Sequence, residues 1–170
     1  MAEHASVHQP RALADGALAL GAHARLDGRG ARIEVGRDRA VTIGLAALGR
    51  PGAMRELEPG DVRPEVHGAE VRLRRAPGVV EWWRSLRSGL EQGVTIDARP
   101  GGDGALVLEM TTGEGVRAEA GAPGEVVLRG SQGETLARYA QLFVLDARGT
   151  RVPARLAAAG ARIRIEVDDR

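Results

Sequence analysis

Arg162-Ile163-Arg164-Ile165-Glu166-Val167 alternates charged and branched apolar side chains at every step. A period of two places Ile163, Ile165 and Val167 on one face of a strand and Arg162, Arg164 and Glu166 on the other. Working back from there, Val152 to Leu156, Leu142 to Leu145, Val126 to Leu128 and Ala105 to Met110 are short apolar segments bounded by Gly, Asp and Pro. Pro100-Gly101-Gly102-Asp103-Gly104 is a turn separating the last of these from Val94 and Ile96, which alternate with Thr95 and Asp97. Val71 and Leu73 point inward with Arg72 and Arg74 outward; Val41, Ile43 and Leu45 continue the rhythm, and Ile33 and Val35 alternate with Arg32 and Glu34. Ala17 to Leu26 leads into Asp27-Gly28, a hairpin signal. Roughly ten short strands at this spacing predict an all-β fold, an antiparallel β-sandwich of about ten or more strands.

The chain has 170 residues, enough for a single domain with its own core, expected over residues 17–170 after a loose N-terminus at 1–16. Arg50 to Arg63, with Glu56, Glu58 and Asp61, reads as a solvated loop. The absence of cysteine excludes disulfides, thiolate metal sites and a Cys nucleophile. A net charge of +1 gives no global field for nucleic acid or an acidic membrane, so neither nucleic-acid binding nor membrane insertion is expected. All 24 basic residues are arginine, beside abundant Ala, Gly and Pro, a pattern that fits a GC-rich genome. No apolar run approaches the roughly 18 residues of a membrane span, and Asp15 and Gly16 interrupt the one stretch resembling an export signal.

One segment carries two patterns. Val79, Trp82, Trp83, Leu86 and Leu90 fall at i, i+3, i+4, i+7 and i+11, the spacing of an amphipathic helix, so periodicity leaves room for a short helix near 79–90. A strand would instead set Val80, Trp82 and Arg84 against Val79, Glu81 and Trp83.

The chemical motifs are sparse. Gly113-x-Gly115-x-x-Ala118 has dinucleotide-fingerprint spacing, but Gly121, Pro123 and Gly124 forbid the helix that would hold a pyrophosphate, so a turn is expected and no cofactor. His4 and His8 have helical metal-ligand spacing without a third ligand, and no metal is expected. Gly130-Ser131-Gln132-Gly133 is out of register for a nucleophile elbow. Glu81, Glu91, Asp97 and Glu109 are the acids from which a hydrolase pair would be drawn. Asp146-Ala147-Arg148-Gly149 lacks alternating calcium ligands and reads as a β-turn, with Asp146 and Gly149 structural. Trp82 and Trp83, adjacent, face opposite ways on a strand, one inward and one outward, where it is either packed under a neighbouring sheet or helix, the favoured reading, or open as a binding platform. Arg138 and Tyr139 are a second candidate contact. Glu91 and Gln92 are structural candidates to meet the Tyr139 hydroxyl, with Glu91–Arg138 as a candidate internal ion pair.

Glu81-Trp82-Trp83, Gly89-Leu90-Glu91-Gln92-Gly93 and Val94-Thr95-Ile96 together resemble the "EWY…GLEQGFT" segment in the N-terminal β domain of large bacterial surface or secreted proteins that carry FG-GAP-type, propeller-forming repeats. Gly104 to Glu109, Arg138-Tyr139, Val144 to Gly149, Pro153 to Leu156 and Ile163 to Asp169 follow in the same order, so the resemblance covers roughly residues 65 to 170. Ser85-Leu86-Arg87 replaces that family's Asn-Gly-Pro turn, and Val94 its Phe. The family's Tyr-Pro and Asp-Pro segment and its repeats are not in this sequence. The resemblance implies a non-enzymatic accessory module, extracellular or on the cell surface, whose partners are adjacent repeat domains or another protein. A carbohydrate-binding β-sandwich taking a glycan and a small hydrolase with a carboxylate pair are the alternatives, and a cytoplasmic address is the alternative location.

Overall fold

The computed structural model describes residues 8–58 and 62–170, and His4 lies outside them. Among the described residues the chain is all-β, with eighteen strands and no helix. In chain order they are β1 (Arg11–Ala12), β2 (Leu18–Leu20), β3 (Ala24–Asp27), β4 (Gly30–Gly36), β5 (Arg39–Arg50), β6 (Ala53–Glu56), β7 (Glu65–His67), β8 (Glu70–Ala76) and β9 (Val79–Leu86). The series continues with β10 (Gly89–Ile96), β11 (Leu106–Thr111), β12 (Arg117–Ala120), β13 (Val126–Arg129), β14 (Thr135–Tyr139), β15 (Val144–Leu145), β16 (Arg151–Val152), β17 (Ala154–Ala159) and β18 (Arg162–Val167).

The single domain expected over 17–170 divides into two compact units: Met1–Gly44 with Glu58–Arg99, and Leu45–Leu57 with Pro100–Arg170. Both are discontinuous in sequence, so no linker composition marks the boundary. β5 gives its first half to one and its second half to the other.

In the first unit, β1 to β4 and the start of β5 form an antiparallel meander, and β7 to β10 form a second. Leu20, Leu26, Ala31 and Val41 of one sheet and Val71, Leu73 and Trp83 of the other are almost wholly buried. Residues 11–12, expected in the loose terminus, pair with Leu18–Ala19, because a hairpin partner compensates for a segment too short to show periodicity.

The helix allowed for 79–90 does not form. β9 alternates strictly, with Val79, Glu81, Trp83 and Ser85 buried and Val80, Trp82, Arg84 and Leu86 partly exposed, and Arg87-Ser88 turns it into β10. Two polar residues on the inward face, Glu81 and Ser85, hid the period of two; two bulky aromatics favour the pleated state.

In the second unit, β11, β18 and β17 continue in order from the second half of β5, which also pairs with β6. Ile163, Ile165 and Val167 are buried as their alternation requires, against Leu106, Leu108 and Met110 of β11. The sheet β12-β13-β14 adds Ala118 and Val126 to Leu128, and the Ala118 N–H donates to Gly160 O at 2.8 Å. β15 and β16 make a separate two-stranded hairpin.

The segment expected as a solvated loop, 50–63, contains the exposed strand β6, whose Ala-Met-Arg-Glu sequence has no apolar alternation. It opens on Arg50, which is 1% exposed. The Arg50 Nη1 and Nη2 donate to the two Asp169 carboxylate oxygens at 2.7 and 2.6 Å, while Nε and Nη1 donate to the carbonyls of Pro100 (3.1 Å) and Gly104 (2.6 Å). That hydrogen bonding with Asp169 raises the Arg50 pKa above its ordinary value despite burial. Asp169→Ala strands the buried guanidinium and should cost about 3 kcal/mol in a denaturant melt. Asp168→Ala, which removes only an exposed pair with Arg170, should leave the transition unmoved.

Candidate functional site

Glu81-Trp82-Trp83 and Gly89 to Ile96 lie on β9 and β10 of the first unit, and β9 also pairs with β8. The ladder sets Trp83 opposite Gln92, Trp82 opposite Gly93 and Arg84 opposite Glu91. Each pair shares a face, so Trp83 and Gln92 lie with Glu81 on the inner side, and Trp82, Arg84 and Glu91 on the outer.

On the inner side Glu81 is fully buried. A carboxylate there stands only if charge and hydrogen bonds compensate lost hydration. Arg75, itself buried, supplies the charge: Nε donates to Glu81 Oε2 at 2.6 Å, and Nη2 lies 2.5 Å from the same oxygen. The other oxygen accepts from Trp83 Nε1 at 3.0 Å and Gln92 Nε2 at 2.7 Å. Arg75 follows Val71 and Leu73 on the inward face, and the ladder shifts register around it between Arg74 and Ala76, a bulge that bends the strand there. Its Nη1 reaches across to the Gly28 carbonyl at 2.5 Å, joining the two sheets of this unit.

On the outer side the Trp82 indole lies against the backbone of Gly93, where a Cβ would sit 1.9 Å from Cζ2. The Arg84 guanidinium covers the ring at 4.7 Å from its centroid, a cation–π contact. Arg84 also binds Glu70, through Nε at 2.9 Å and a close Nη2 contact, and lies 3.7 Å from Glu91. Arg72 Nε donates to the second Glu70 oxygen at 2.8 Å. Burial pushes the Glu70 carboxyl up, but hydrogen bonds from Arg84 and Arg72 outweigh it and hold its pKa below the ordinary value.

Of the sequence-derived candidates, Trp83 is 2% exposed and Trp82 is partly exposed beneath Arg84. Arg138 pairs with Glu125 on the neighbouring strand side, and Glu91 with Arg84, which corrects the Glu91–Arg138 pair: same-face neighbours across a ladder are reached before distant groups. Gln92 goes to Glu81. Tyr139 sits half-buried at the end of β14, opposite Val126. Asp146 accepts from the N–H groups of Arg148 and Thr150, both at 2.8 Å, and Gly149 takes φ of +78°, so this tetrapeptide closes the β15–β16 hairpin. Gly113 and Gly115 lie in the turn between β11 and β12, with no helix after them. Glu81 and Glu91 occupy opposite faces of one sheet, and Glu109 is bound to Arg162 at 2.9 Å. Among the described residues no cluster of three His, Asp or Glu forms a metal cradle. No described helix is long and apolar enough to cross a membrane.

The sequence reasoning passed over Arg75 and Glu70. The signal for Arg75 was its parity: it continues the inward series Val71, Leu73, while Glu81 occupies the inward series of the next strand.

Comparison of the chain with family models, curated proteins and solved structures returns no match.

Gly93→Ala should displace the Trp82 ring and its Arg84 partner, seen as a lower Tm and altered tryptophan fluorescence, although Ala is otherwise tolerated in a strand. Because the folded-state pKa of Glu70 is depressed, its contribution is present at neutral pH and lost as pH falls below the ordinary carboxylate value of 4.5 and through the folded one. Melts from pH 7 to pH 3 should show the advantage of the native chain over Glu70→Gln shrinking across that window.

Proposed function

We propose that this chain is a non-enzymatic module of a bacterial extracellular or cell-surface protein, a structural or interaction domain that works by contact with adjacent repeat domains or another protein. The observation that carries this reading is the use made of Glu81. The acid at the head of the resembling segment is fully buried, neutralised by Arg75 and tied to Trp83 and Gln92. A carboxylate so engaged has neither solvent access nor a free lone pair facing a substrate, which supports a packing role for the whole segment.

The same geometry supports contact over the two alternatives. A glycan platform needs an open aromatic face; Trp83 is enclosed, and Trp82 is held between Gly93 and Arg84. A glycosidase-like pair needs two converging carboxylates roughly 5–10 Å apart. Glu81 and Glu91 diverge from opposite sides of one sheet.

Fractionation of the encoding organism with an antibody to this chain is the test. The chain is expected in the medium or on the cell surface, and confinement to the cytosol would overturn the proposal. In parallel, a panel of oligosaccharides should leave tryptophan fluorescence unchanged; saturable quenching abolished by Trp82→Ala would establish the carbohydrate reading instead.

A further inference from the structure

We propose that the β15–β16 hairpin of the second unit docks an extended acidic peptide segment of a partner protein, one that also carries a large apolar side chain. The inference rests on the interaction-module reading above and specifies the chemistry of the partner.

The hairpin presents an apolar surface that the fold leaves open. Phe143 is 51% and Leu145 54% exposed. Residues two apart on an extended chain share a face, and the register sets Arg151 directly opposite Leu145, so Phe143, Leu145 and Arg151 project together. Beside them is an open concavity of about 410 Å³ lined by Leu142, Phe143, Arg151, Val152, Pro153 and Ala154. Five of those six are apolar, and the volume suits a bulky side chain with its neighbours. β15 and β16 form a sheet of two strands, so β15 is paired along one edge only and its other edge can accept the backbone of an added strand.

Charge decides among occupants. Arg148 and Arg151 are exposed, and neither guanidinium has an ion-pair partner among the described residues. Elsewhere in this unit Arg129, Arg138, Arg155 and Arg162 are each matched to a carboxylate. Asp146 is the one acid between residues 135 and 165, and one of its carboxylate oxygens is occupied by the N–H groups of the turn. An apolar patch with Arg151 beside Leu145, and a second uncompensated arginine, Arg148, in the turn that follows, selects a segment that brings carboxylates with its apolar anchor. A second copy of this chain would set Arg148 and Arg151 against themselves, a repulsion that counts against self-association. A single-stranded nucleic acid would need several stacking aromatics, and Phe143 is the one aromatic on this hairpin.

The test uses the whole chain and a fluorescein-labelled peptide alternating Glu with Leu and Phe, read by anisotropy, beside a lysine counterpart and an oligouridine. Saturable binding of the acidic peptide alone is expected. It should weaken about tenfold or more in Arg148→Glu/Arg151→Glu, and that variant should gain affinity for the lysine peptide, while Leu145→Ser weakens both. These positions are exposed, and an unchanged circular dichroism spectrum verifies folding; Arg148→Gln/Arg151→Gln substitutes if the reversal fails to fold. No binding of the acidic peptide, binding indifferent to the charge reversal, or preference for the oligouridine would overturn the proposal. A cytosolic chain that still bound the peptide would refute the surface address alone, and a surface chain that ignored it would refute the docking site alone.

Discussion

Burial of a single carboxylate governs the first unit. Glu81 is shut off from bulk solvent, so its charge must be met inside the protein, and removal of either member of the Glu81–Arg75 pair would leave the other stranded at a cost of about 3–5 kcal/mol. Each neighbouring feature follows from that need. The bulge at Arg74/Ala76 bends the strand beside Arg75. The Trp83 indole and Gln92 amide occupy the second oxygen and so fix which residues of β9 and β10 face inward. A slip of one residue would turn every one of these groups to the wrong side. The arrangement therefore specifies register, a property that apolar side chains alone would specify less sharply.

The outer face of the same strands works in the opposite dielectric regime. Arg84 there serves Trp82, Glu70 and Glu91 at once, with partial solvent access. Lysine has neither the planar head to lie on an indole nor the fork to hold a carboxylate on two nitrogens. The second unit uses arginine similarly: Arg50 satisfies one carboxylate and two carbonyls, and Arg162 bridges Glu56 and Glu109, whose hydrogen bonds raise its pKa further. A composition that reads as a genomic bias is thus put to structural use at the points where several acceptors converge.

How much of this was legible depended on whether the inward face was apolar. Where it was, as at Ile163, Ile165 and Val167 or at Val71 and Leu73, alternation alone identified strand and face. Where polar residues took inward positions, as Glu81 and Ser85 do, the period of two dissolved and Val79, Trp82, Trp83, Leu86 and Leu90 imitated a helix. β6 escaped notice because both its faces are exposed. The division into two units was hidden for another reason: periodicity reports how a strand is turned, and says nothing of which partner it finds. In the site, the cross-strand pairings of Trp83 with Gln92 and Trp82 with Gly93 require knowing that the hairpin turns at Arg87-Ser88, which the helix-like spacing of 79–90 concealed. Arg138 and Tyr139 offered no such clue, since adjacency in sequence leaves the identity of a partner such as Glu125 open.

The interlaced order of the two units has a bearing on synthesis. A chain leaving the ribosome releases its N-terminal portion first. Residues up to Arg99 contain every strand of the first unit, whereas Leu45–Leu57 emerges long before the β11 and β18 it must join. Arg50 waits for Asp169 across 119 positions, a guanidinium destined for burial that stays hydrated until Asp169 has emerged. One unit can thus mature before the strands of the other have all emerged, and the other is obliged to close later around a ribbon made early.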